Sequence, residues 1–176
     1  MNYFLNLKKS MTLLSKNNKT IFLGQSVSVP GTAMFNTLTN VNSKKKLELP
    51  VAEEMQLGIT LGMALNGFIP VSIYPRWNFL LLATNQLVNH MDKISEISEK
   101  KIFPTIIIRT SVGSCRPLDP QSQHKGDFTK AFSKICKNIK FVTLKKSQKI
   151  IPEYNKAIKR KGITVLVEIA DFYNEK

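Results

Sequence analysis

Residues 53–71 read EEMQLGITLGMALNGFIPV, and the order of their polar, glycine and apolar positions decides the fold. Apolar residues at helical spacing predict a helix over residues 54–66, which Gly67 ends. An apolar strand is predicted over residues 70–74, with Pro70 at its start, where proline costs no ladder hydrogen bond. A helix that runs directly into a buried strand indicates an α/β domain.

Two glycines of this helix, Gly58 and Gly62, lie four residues apart and share one face. Glycine costs a helix about 1 kcal/mol relative to alanine, so two such losses on one face need compensation. Close packing against a neighbouring backbone is the usual compensation. We therefore expect this face to lie against another backbone.

The rest of the chain continues the alternation of strands and helices. Further strands are predicted over residues 20–23, 47–50, 105–109, 141–144 and 163–169, and further helices over residues 4–14, 79–97, 128–137 and 147–161. Residues 24–40 and 111–127 are predicted loops. Such alternation predicts an α/β fold, a mostly parallel sheet with helices on both faces, and we expect one domain over residues 1–176.

The charge of the chain is strongly basic, with a formal net charge of +14. Residues 137–161 hold nine basic side chains against one acid, Glu153. Three interpretations stay open: a solvated face, a surface that matches an acidic partner, and a general attraction for phosphorylated ligands. Nucleic-acid binding is disfavoured, because no aromatic side chains are interleaved there for base stacking and lysine outnumbers arginine.

The two cysteines, Cys115 and Cys136, lie far apart and form no CxxC pair, so neither a zinc site nor a disulfide framework is predicted. No apolar run approaches the roughly 18 residues of a membrane helix. The first fourteen residues lack a secretory cleavage pattern. A cytoplasmic location is the expectation that follows.

Three polar segments are predicted to follow strands or precede helices at one edge of the sheet. They are Glu53 with its helix, the turn at residues 75–79, and the loop at residues 111–127. Ligands of open α/β folds bind at the carboxyl ends of the strands. The sequence therefore places its candidate site among these three segments.

The same segments resemble a known family. The string EEMQLGITLG at residues 53–62 looks like the catalytic-glutamate helix of the pyrimidine-binding domain of transketolase-like thiamine-diphosphate enzymes, and residues 64–71 continue the match. RWNF at residues 76–79, with the following helix, resembles the aromatic turn of that domain. The pair Gln123-His124 matches a glutamine-histidine pair in its later loop, and IFLGQ at residues 21–25 fits its early strand. The most similar members are beta subunits of 2-oxo acid dehydrogenase first components.

The resemblance implies roles for five side chains. In the family a glutamate bonds a ring nitrogen of the cofactor's aminopyrimidine and favours the tautomer that activates thiamine, which makes Glu53 the candidate catalytic group. Phe79 would stack on the aminopyrimidine, and Trp77 would form another wall. Gln123 would contact the cofactor, and His124 would bind or protonate the substrate.

Each of these residues also has an ordinary structural interpretation. A glutamate in the first turn of a helix is favoured by the helix dipole, which suits Glu54 better than Glu53. Phe79 is otherwise a core aromatic residue, and His124 an exposed loop histidine. Two loop cations, Arg116 and Lys125, would meet a substrate carboxylate or phosphate, or are simply solvated.

The resemblance also implies a partner chain. Family members anchor the diphosphate through a metal site marked by Gly-Asp-Gly, and that string does not occur here. We therefore expect a stand-alone pyrimidine-binding subunit that shares thiamine diphosphate with a second chain, which holds the Mg²⁺, in a hetero-oligomer with twofold symmetry. The expected reaction is that of transketolase or a 2-oxo acid dehydrogenase, on ketose sugars or 2-oxo acids. The alternatives are a non-catalytic interaction subunit with the same fold and, less favoured, a basic nucleic-acid-binding domain.

Overall fold

Six parallel strands form one sheet in the computed structural model, which describes residues 2–113, 115 and 119–174. The strands in chain order are β1 (Thr20–Gly24), β2 (Lys46–Glu48), β3 (Ile69–Ile73), β4 (Ile106–Val112), β5 (Lys140–Leu144) and β6 (Ile163–Ile169). Their order across the sheet is β2-β1-β3-β4-β6-β5. All five neighbouring pairs are parallel, so the predicted sheet is confirmed.

Helices cover both faces of this sheet, as predicted for an α/β fold. They are α1 (Tyr3–Ser15), α2 (Ala33–Thr37), α3 (Glu53–Leu65), α4 (Trp77–Leu80), α5 (Ile94–Ile97), α6 (Thr129–Ile135) and α7 (Ser147–Lys159). Short 3₁₀ turns lie at Ser43–Lys45, Leu81–Ala83, Gln121–His124 and Ala170–Asn174. Helices α1 and α7 pack together on one face, and α3, α4 and α6 lie on the other.

Alternate residues of each central strand feed two separate apolar cores, as the pleat of a strand requires. In β4, Ile107 packs with the α1 and α7 side, whereas Ile106 and Ile108 pack with the α3 and α6 side. In β6, Leu166 and Val165 divide in the same way. This burial on both faces explains why the central strands read as continuous apolar runs.

The segment at residues 24–40 is more ordered than its prediction as loop. It contains α2, whose N-cap Thr32 accepts a hydrogen bond at its hydroxyl from the Phe35 backbone N–H at 3.1 Å. Val27, Met34 and Leu38 are buried in the core beside α1. The loop prediction was wrong because α2 has only five residues, too few to show a helical period in the sequence. The side-chain cap and the three buried apolar residues are enough to hold such a short helix.

The prediction of one regular helix over residues 79–97 is also wrong, although most of the apolar side chains that suggested it are buried. The backbone passes from α4 through a 3₁₀ turn to a π-helical turn at Gln86–Met91 and then α5. The Thr84 hydroxyl donates to the Leu81 carbonyl at 2.5 Å, and such side-chain bonds compete with the helical ladder. Apolar residues recur at helical spacing in this stretch, and of these Leu80, Ala83, Leu87 and Met91 are buried and Ile94 is partly buried.

Neither glycine of α3 lies beneath a neighbouring backbone of this chain. A Cβ built on Gly58 would come no closer than 3.9 Å, to the side chain of Gln86, and one built on Gly62 would meet no described atom within 4 Å. The expected close packing is therefore absent among the residues that the structure describes. The face that these glycines share is open, and Met55 and Leu65 of the same helix are 46% and 47% exposed.

Candidate functional site

A cavity of about 380 Å³ lies at the carboxyl ends of the central strands. Its walls come from the residues that follow β1, β3, β4 and β6: Gln25, Pro75 and Arg76, Ser111 at the end of β4, and Ala170. The chain goes from β1 to one side of the sheet for β2 and to the other side for β3. Such a switch point opens a crevice between the two strands, which is where ligands of open α/β folds bind.

Glu53 does not itself line this cavity, but it is bonded to Gln25, which does. Glu53 is the first residue of α3 and only 5% exposed. One carboxylate oxygen accepts a hydrogen bond from the Gln25 side-chain amide at 3.2 Å. The Tyr74 hydroxyl donates to the Glu53 backbone carbonyl at 2.9 Å. Glu53 is thus a carboxylate at a helix N-terminus that contacts the cavity wall through Gln25.

The neighbouring acid, Glu54, points elsewhere. It is exposed and accepts hydrogen bonds from the Asn85 side chain at 3.0 Å and the Gln86 side chain at 3.4 Å. Glu54 therefore joins α3 to the segment after α4. The structure separates the two consecutive glutamates into one buried and one surface side chain.

The start of α3 is tied to β3 by the buried Gln56. Its side-chain amide donates to the Ser72 hydroxyl at 3.0 Å and to the Ile73 carbonyl at 2.9 Å. Gly24 makes this contact possible, because its φ is +141° and a Cβ there would lie 2.3 Å from the Ile73 carbonyl oxygen. Burial raises the pKa of Tyr74 above its usual range, so its hydroxyl stays a donor.

Phe79 lines the cavity, and the ring of His124 packs against Phe79 from outside the lining. Their ring centroids are 5.1 Å apart with an interplanar angle of 53°. Phe79 lines the cavity, and the His124 ring nitrogen Nδ1 is buried without a hydrogen-bond partner among the described residues. An unpartnered buried polar atom is costly unless a ligand or water meets it. The structure thus brings Phe79 and His124 together, whereas Glu53 meets the cavity only through its bond to Gln25.

Arg76 holds the loop of His124 in place. Its guanidinium Nη1 donates to the Gly113 carbonyl at 2.9 Å and to the His124 carbonyl at 3.3 Å. Gln123 is exposed, and its backbone carbonyl accepts a hydrogen bond from the Asn78 side chain at 3.1 Å. This hydrogen bond of Gln123 is therefore a backbone contact to α4.

Trp77 points away from the cavity into the core. It is fully buried, and its ring lies 4.9 Å from the ring of Phe132 and 5.9 Å from that of Phe128. Its indole N–H donates to the Thr129 hydroxyl at 3.0 Å. This contact set anchors α4 to α6. The cofactor contact expected of Trp77 stays a prediction.

Of the two loop cations that the sequence singles out, one has an acidic partner in its own loop. Arg116 lies outside the described residues. Lys125 forms an ion pair of 2.6 Å with Asp119. The hydrogen bond between them raises the pKa of Lys125 and lowers that of Asp119. Lys125 therefore already has a carboxylate partner within its own loop.

A buried ion pair supports two walls of the cavity. Arg109 of β4 and Glu168 of β6 are both fully buried, with N–O distances of 2.5 and 3.0 Å. Arg109 also donates to the Thr37 hydroxyl of α2 at 2.8 Å, and Glu168 accepts from the hydroxyl of Tyr173. Residues of α2 and Tyr173 line the cavity, so one ion pair positions both sides.

The surroundings of Arg109 favour its charged form. Burial alone would lower the pKa of Arg109, but the Glu168 carboxylate outweighs it and the net direction is upward. Tyr154 also donates to Glu168, at 2.5 Å. Burial and the adjacent carboxylate raise the pKa of Tyr154 and of Tyr173 well above the usual range. Glu168 thus accepts bonds from one cation and two neutral hydroxyl groups.

Sequence reasoning gave no role to Gln25, Arg76 or Tyr173. Gln25 and Arg76 each follow a predicted strand by two residues, which is a signal because ligands of open α/β folds bind at the carboxyl ends of strands. Tyr173 carries no such signal, because it lies four residues beyond β6 and meets the cavity only through the fold.

Metal and membrane features are absent from the part of the chain that the structure describes. No group of three or more His, Cys, Asp or Glu side chains in residues 2–113, 115 and 119–174 is arranged to hold a metal ion. No helix in those ranges combines the length and the apolar character of a membrane span.

Comparisons with known proteins give two kinds of likeness. No protein-family model matches the chain. The pyruvate dehydrogenase E1 component subunit beta of Mesostigma viride is 24% identical over 116 residues, which are 64% of this chain and 35% of that protein. The subunit of the same name from Gracilaria tenuistipitata var. liui is 28% identical over 115 residues, which are 62% of this chain and 35% of the relative.

Among solved structures, a split-gene transketolase described as an inactive beta4 tetramer has a TM-score of 0.73 to this chain. The sequence identity is 14%, and the match covers 97% of this chain and 52% of that one. The chain thus spans about a third of the length of the two curated relatives and about half of the transketolase chain. Together these likenesses confirm the resemblance to the transketolase-like pyrimidine-binding domain and its α/β fold.

Proposed function

We propose that this chain is the pyrimidine-binding subunit of a heteromeric thiamine-diphosphate enzyme, built as one domain, in which Glu53 activates the aminopyrimidine of the cofactor. The expected reaction class is that of transketolase or 2-oxo acid dehydrogenase. The observation that carries the proposal is the buried Glu53 carboxylate at the switch point of a parallel sheet, beside a cavity that Phe79 lines. The likeness to dehydrogenase beta subunits and to a split-gene transketolase supports it.

The residues at the cavity fit an aminopyrimidine. The cavity of about 380 Å³ falls within the range of small-molecule sites, roughly 300–1,000 Å³. Phe79 offers an aromatic face and Gln25 an amide, and the buried Nδ1 of His124 lacks a partner among the described residues. An apolar face combined with a few convergent polar groups is the usual lining of a heterocycle site.

Bound thiamine diphosphate would supply a carbon nucleophile that the twenty side chains lack. The task of this chain is then positional and acid–base. Glu53 would hold a proton between its carboxylate and a ring nitrogen, and Gln25 would orient that carboxylate. Phe79 would fix the ring plane, while His124 beside Phe79 would bind the substrate. Gln123 would contact the cofactor from its loop, and Trp77 would support the cofactor site by anchoring α4 to α6.

An open face of α3 supports a partner chain. Met55 and Leu65 on α3 and Leu82 beside it are exposed, Leu82 to 63%, and no described atom approaches Gly62 within 4 Å of an added Cβ. Apolar side chains beside an uncovered glycine suit a second helix that packs closely against α3. We propose that the partner docks here and supplies the site for the diphosphate and Mg²⁺, in an assembly with twofold symmetry.

Reconstitution tests this proposal. The chain is co-expressed with a candidate partner that contains Gly-Asp-Gly, and thiamine diphosphate retained after gel filtration with Mg²⁺ is measured. Glu53→Gln should leave the complex assembled but nearly abolish turnover. The matched control is Glu54→Gln, the adjacent surface glutamate, which should keep turnover. Equal turnover in the two variants would remove Glu53 from the mechanism.

One observation favours the alternative, a non-catalytic subunit that uses the same fold only for docking. Glu53 is not among the residues that line the cavity, and Gln25 is the lining residue to which it is bonded. If the alternative holds, the wild-type complex and the Glu53→Ala complex bind thiamine diphosphate equally well.

A further inference from the structure

A second cavity, of about 230 Å³, lies at the opposite edge of the sheet from the candidate site. Pro104 before β4 and Gly162 and Ile163 at the start of β6 form part of its wall. Parallel strands begin at this edge and end at the other, so the two cavities are on opposite sides of the molecule. This second cavity is not used by the proposed function.

The floor of the second cavity is apolar and partly uncovered. Ile94, Ile102 and Phe103 line it, and Ile102 and Phe103 are 40% and 47% exposed. Its volume is below the roughly 300–1,000 Å³ of sites for small molecules and cofactors. A cavity of this size suits one bulky apolar side chain of a partner better than a whole ligand.

The rim of the cavity is basic. Lys137, Arg160 and Lys161 line it, and none of the three forms a salt bridge with any acid that the structure describes. The nearby acids are already paired, since Asp92 and Glu96 lie 3.1 and 3.7 Å from the ammonium of Lys93. The rim therefore presents uncompensated positive charge.

Arg160 connects this rim to a third cavity, of about 270 Å³. Lys140 and Lys156 line that cavity with Arg160, and Glu153 is its one acid among the described lining residues. Glu153 is paired with Lys156 at 2.7 Å. The two cavities adjoin at Arg160, and together they are called the basic groove, defined by Lys137, Lys140, Lys156, Arg160 and Lys161, with the apolar recess at one end.

Hydrogen bonds hold the groove in shape. The Asn138 backbone N–H donates to the Asp92 carboxylate at 2.7 Å, and its side chain donates to Glu96 at 2.9 Å. The Thr105 hydroxyl donates to the Arg160 carbonyl at 2.9 Å. A groove whose walls are bonded in this way needs little rearrangement to bind.

From this geometry we propose that the basic groove binds an acidic segment of a partner protein, with one bulky apolar side chain of that segment in the recess of Ile102 and Phe103. Positive charge along the groove attracts acidic side chains. A concave recess accepts a single anchor residue, which is how peptide segments gain most of their affinity. Nucleic acid fits less well, because Phe103 is the one aromatic side chain lining the two cavities among the described residues and lysines outnumber the single arginine.

Fluorescence anisotropy with a labelled synthetic peptide tests this inference on the full chain. The probe is a short peptide of glutamate and serine with one central phenylalanine, and the comparison probe has alanine instead. The wild-type chain should bind the phenylalanine peptide about tenfold more tightly or better. Phe103→Ser should remove that preference while leaving the weaker binding of the alanine peptide unchanged.

Two charge-reversal variants distinguish an effect of the basic groove on peptide binding from an effect of the overall net charge. K137E/R160E/K161E should weaken peptide binding about tenfold or more. The control K16E/K19E/K44E changes the net charge equally at exposed lysines near β1 and β2, and it should retain at least half of the affinity. Equal losses in the two variants would overturn the proposal. So would tighter binding of single-stranded DNA or of anionic lipid vesicles than of the peptide, with the same sensitivity to the groove variant.

Discussion

The side-chain amide of Gln25 donates a hydrogen bond of 3.2 Å to the carboxylate of Glu53. Gln25 follows β1, and Glu53 begins α3, so this bond joins two elements 28 residues apart at the edge of the sheet where the cavity lies. It fixes one carboxylate oxygen and gives Glu53 a defined position without a cofactor. Positions held in this way before a ligand arrives are those that catalysis uses best.

A side chain at position 24 should destabilise the fold. In Gly24→Ala the new Cβ would lie 2.3 Å from the Ile73 carbonyl oxygen, at a φ of +141°. The matched control is Gly31→Ala, where φ is +133° but no atom lies within 4 Å. We expect Gly31→Ala to lower the free energy of unfolding by about 1–2 kcal/mol, and Gly24→Ala by about 2 kcal/mol more. Urea unfolding measures both, and equal losses would mean that the contact at Ile73 costs nothing.

The Arg109–Glu168 ion pair should be sensitive to removal of one partner. Arg109→Met leaves a buried carboxylate without its cation, which should lower the free energy of unfolding by about 3–5 kcal/mol. The double variant R109M/E168M removes both charges and should lose less than the sum of the two single changes. Chemical unfolding of the three variants checks this, and additive losses would show that the two groups do not act as a pair.

Phe79 should contribute to cofactor affinity through its ring face. We expect Phe79→Ala to weaken thiamine diphosphate binding by the reconstituted complex about tenfold, because stacking and apolar burial are both lost. Phe103→Ala, at the opposite edge of the sheet, is the matched control and should leave this affinity unchanged. Calorimetric titration distinguishes the two, and identical affinity for the Phe79 variant would exclude it from the cofactor site.

The two thiols should differ in reactivity. Cys115 is exposed, whereas Cys136 is buried, and burial raises the pKa of Cys136 to about 11 from its ordinary value near 9. A thiol reagent at pH 8 should therefore label Cys115 in the folded chain and Cys136 only after unfolding. Labelling of both cysteines at equal rates in the native chain would contradict the burial of Cys136.

The raised pKa of Cys136 also makes the stability of the fold depend on pH. Because the folded-state pKa of Cys136 lies above the unfolded one, its stabilising contribution is complete below about pH 9 and is lost as the pH rises towards about 11. Unfolding of Cys136→Ala across this range should show a smaller decline than unfolding of the wild-type chain.

The sheet and the start of α3 could be predicted from the sequence, because their signals are local. Buried strands such as β4 read as apolar runs, and the glycine after α3 marks its end. Glu53 was singled out by resemblance, and the structure places it next to the cavity. The burial that distinguishes it from Glu54 depends on Gln25 and Tyr74, which no local pattern connects to it.

Other parts of the site could not be predicted, because they depend on contacts between distant residues. The pairing of Arg109 with Glu168 spans 59 residues, and its bond to Thr37 spans 72. A charged residue within an apolar strand pattern carries no sign of its partner. The breaks between α4 and α5 likewise depend on side-chain bonds such as that of Thr84, which override a regular apolar period.

The central claim is that the Glu53 carboxylate activates the cofactor, and proton exchange measures it most directly. The rate at which bound thiamine diphosphate exchanges its thiazolium C2 proton for deuterium is followed by NMR in the reconstituted complex. We predict that Glu53→Gln slows this exchange by about 10²- to 10⁴-fold, while Glu54→Gln exchanges at the wild-type rate. Exchange at the wild-type rate in the Glu53 variant, with the cofactor bound, would contradict the account.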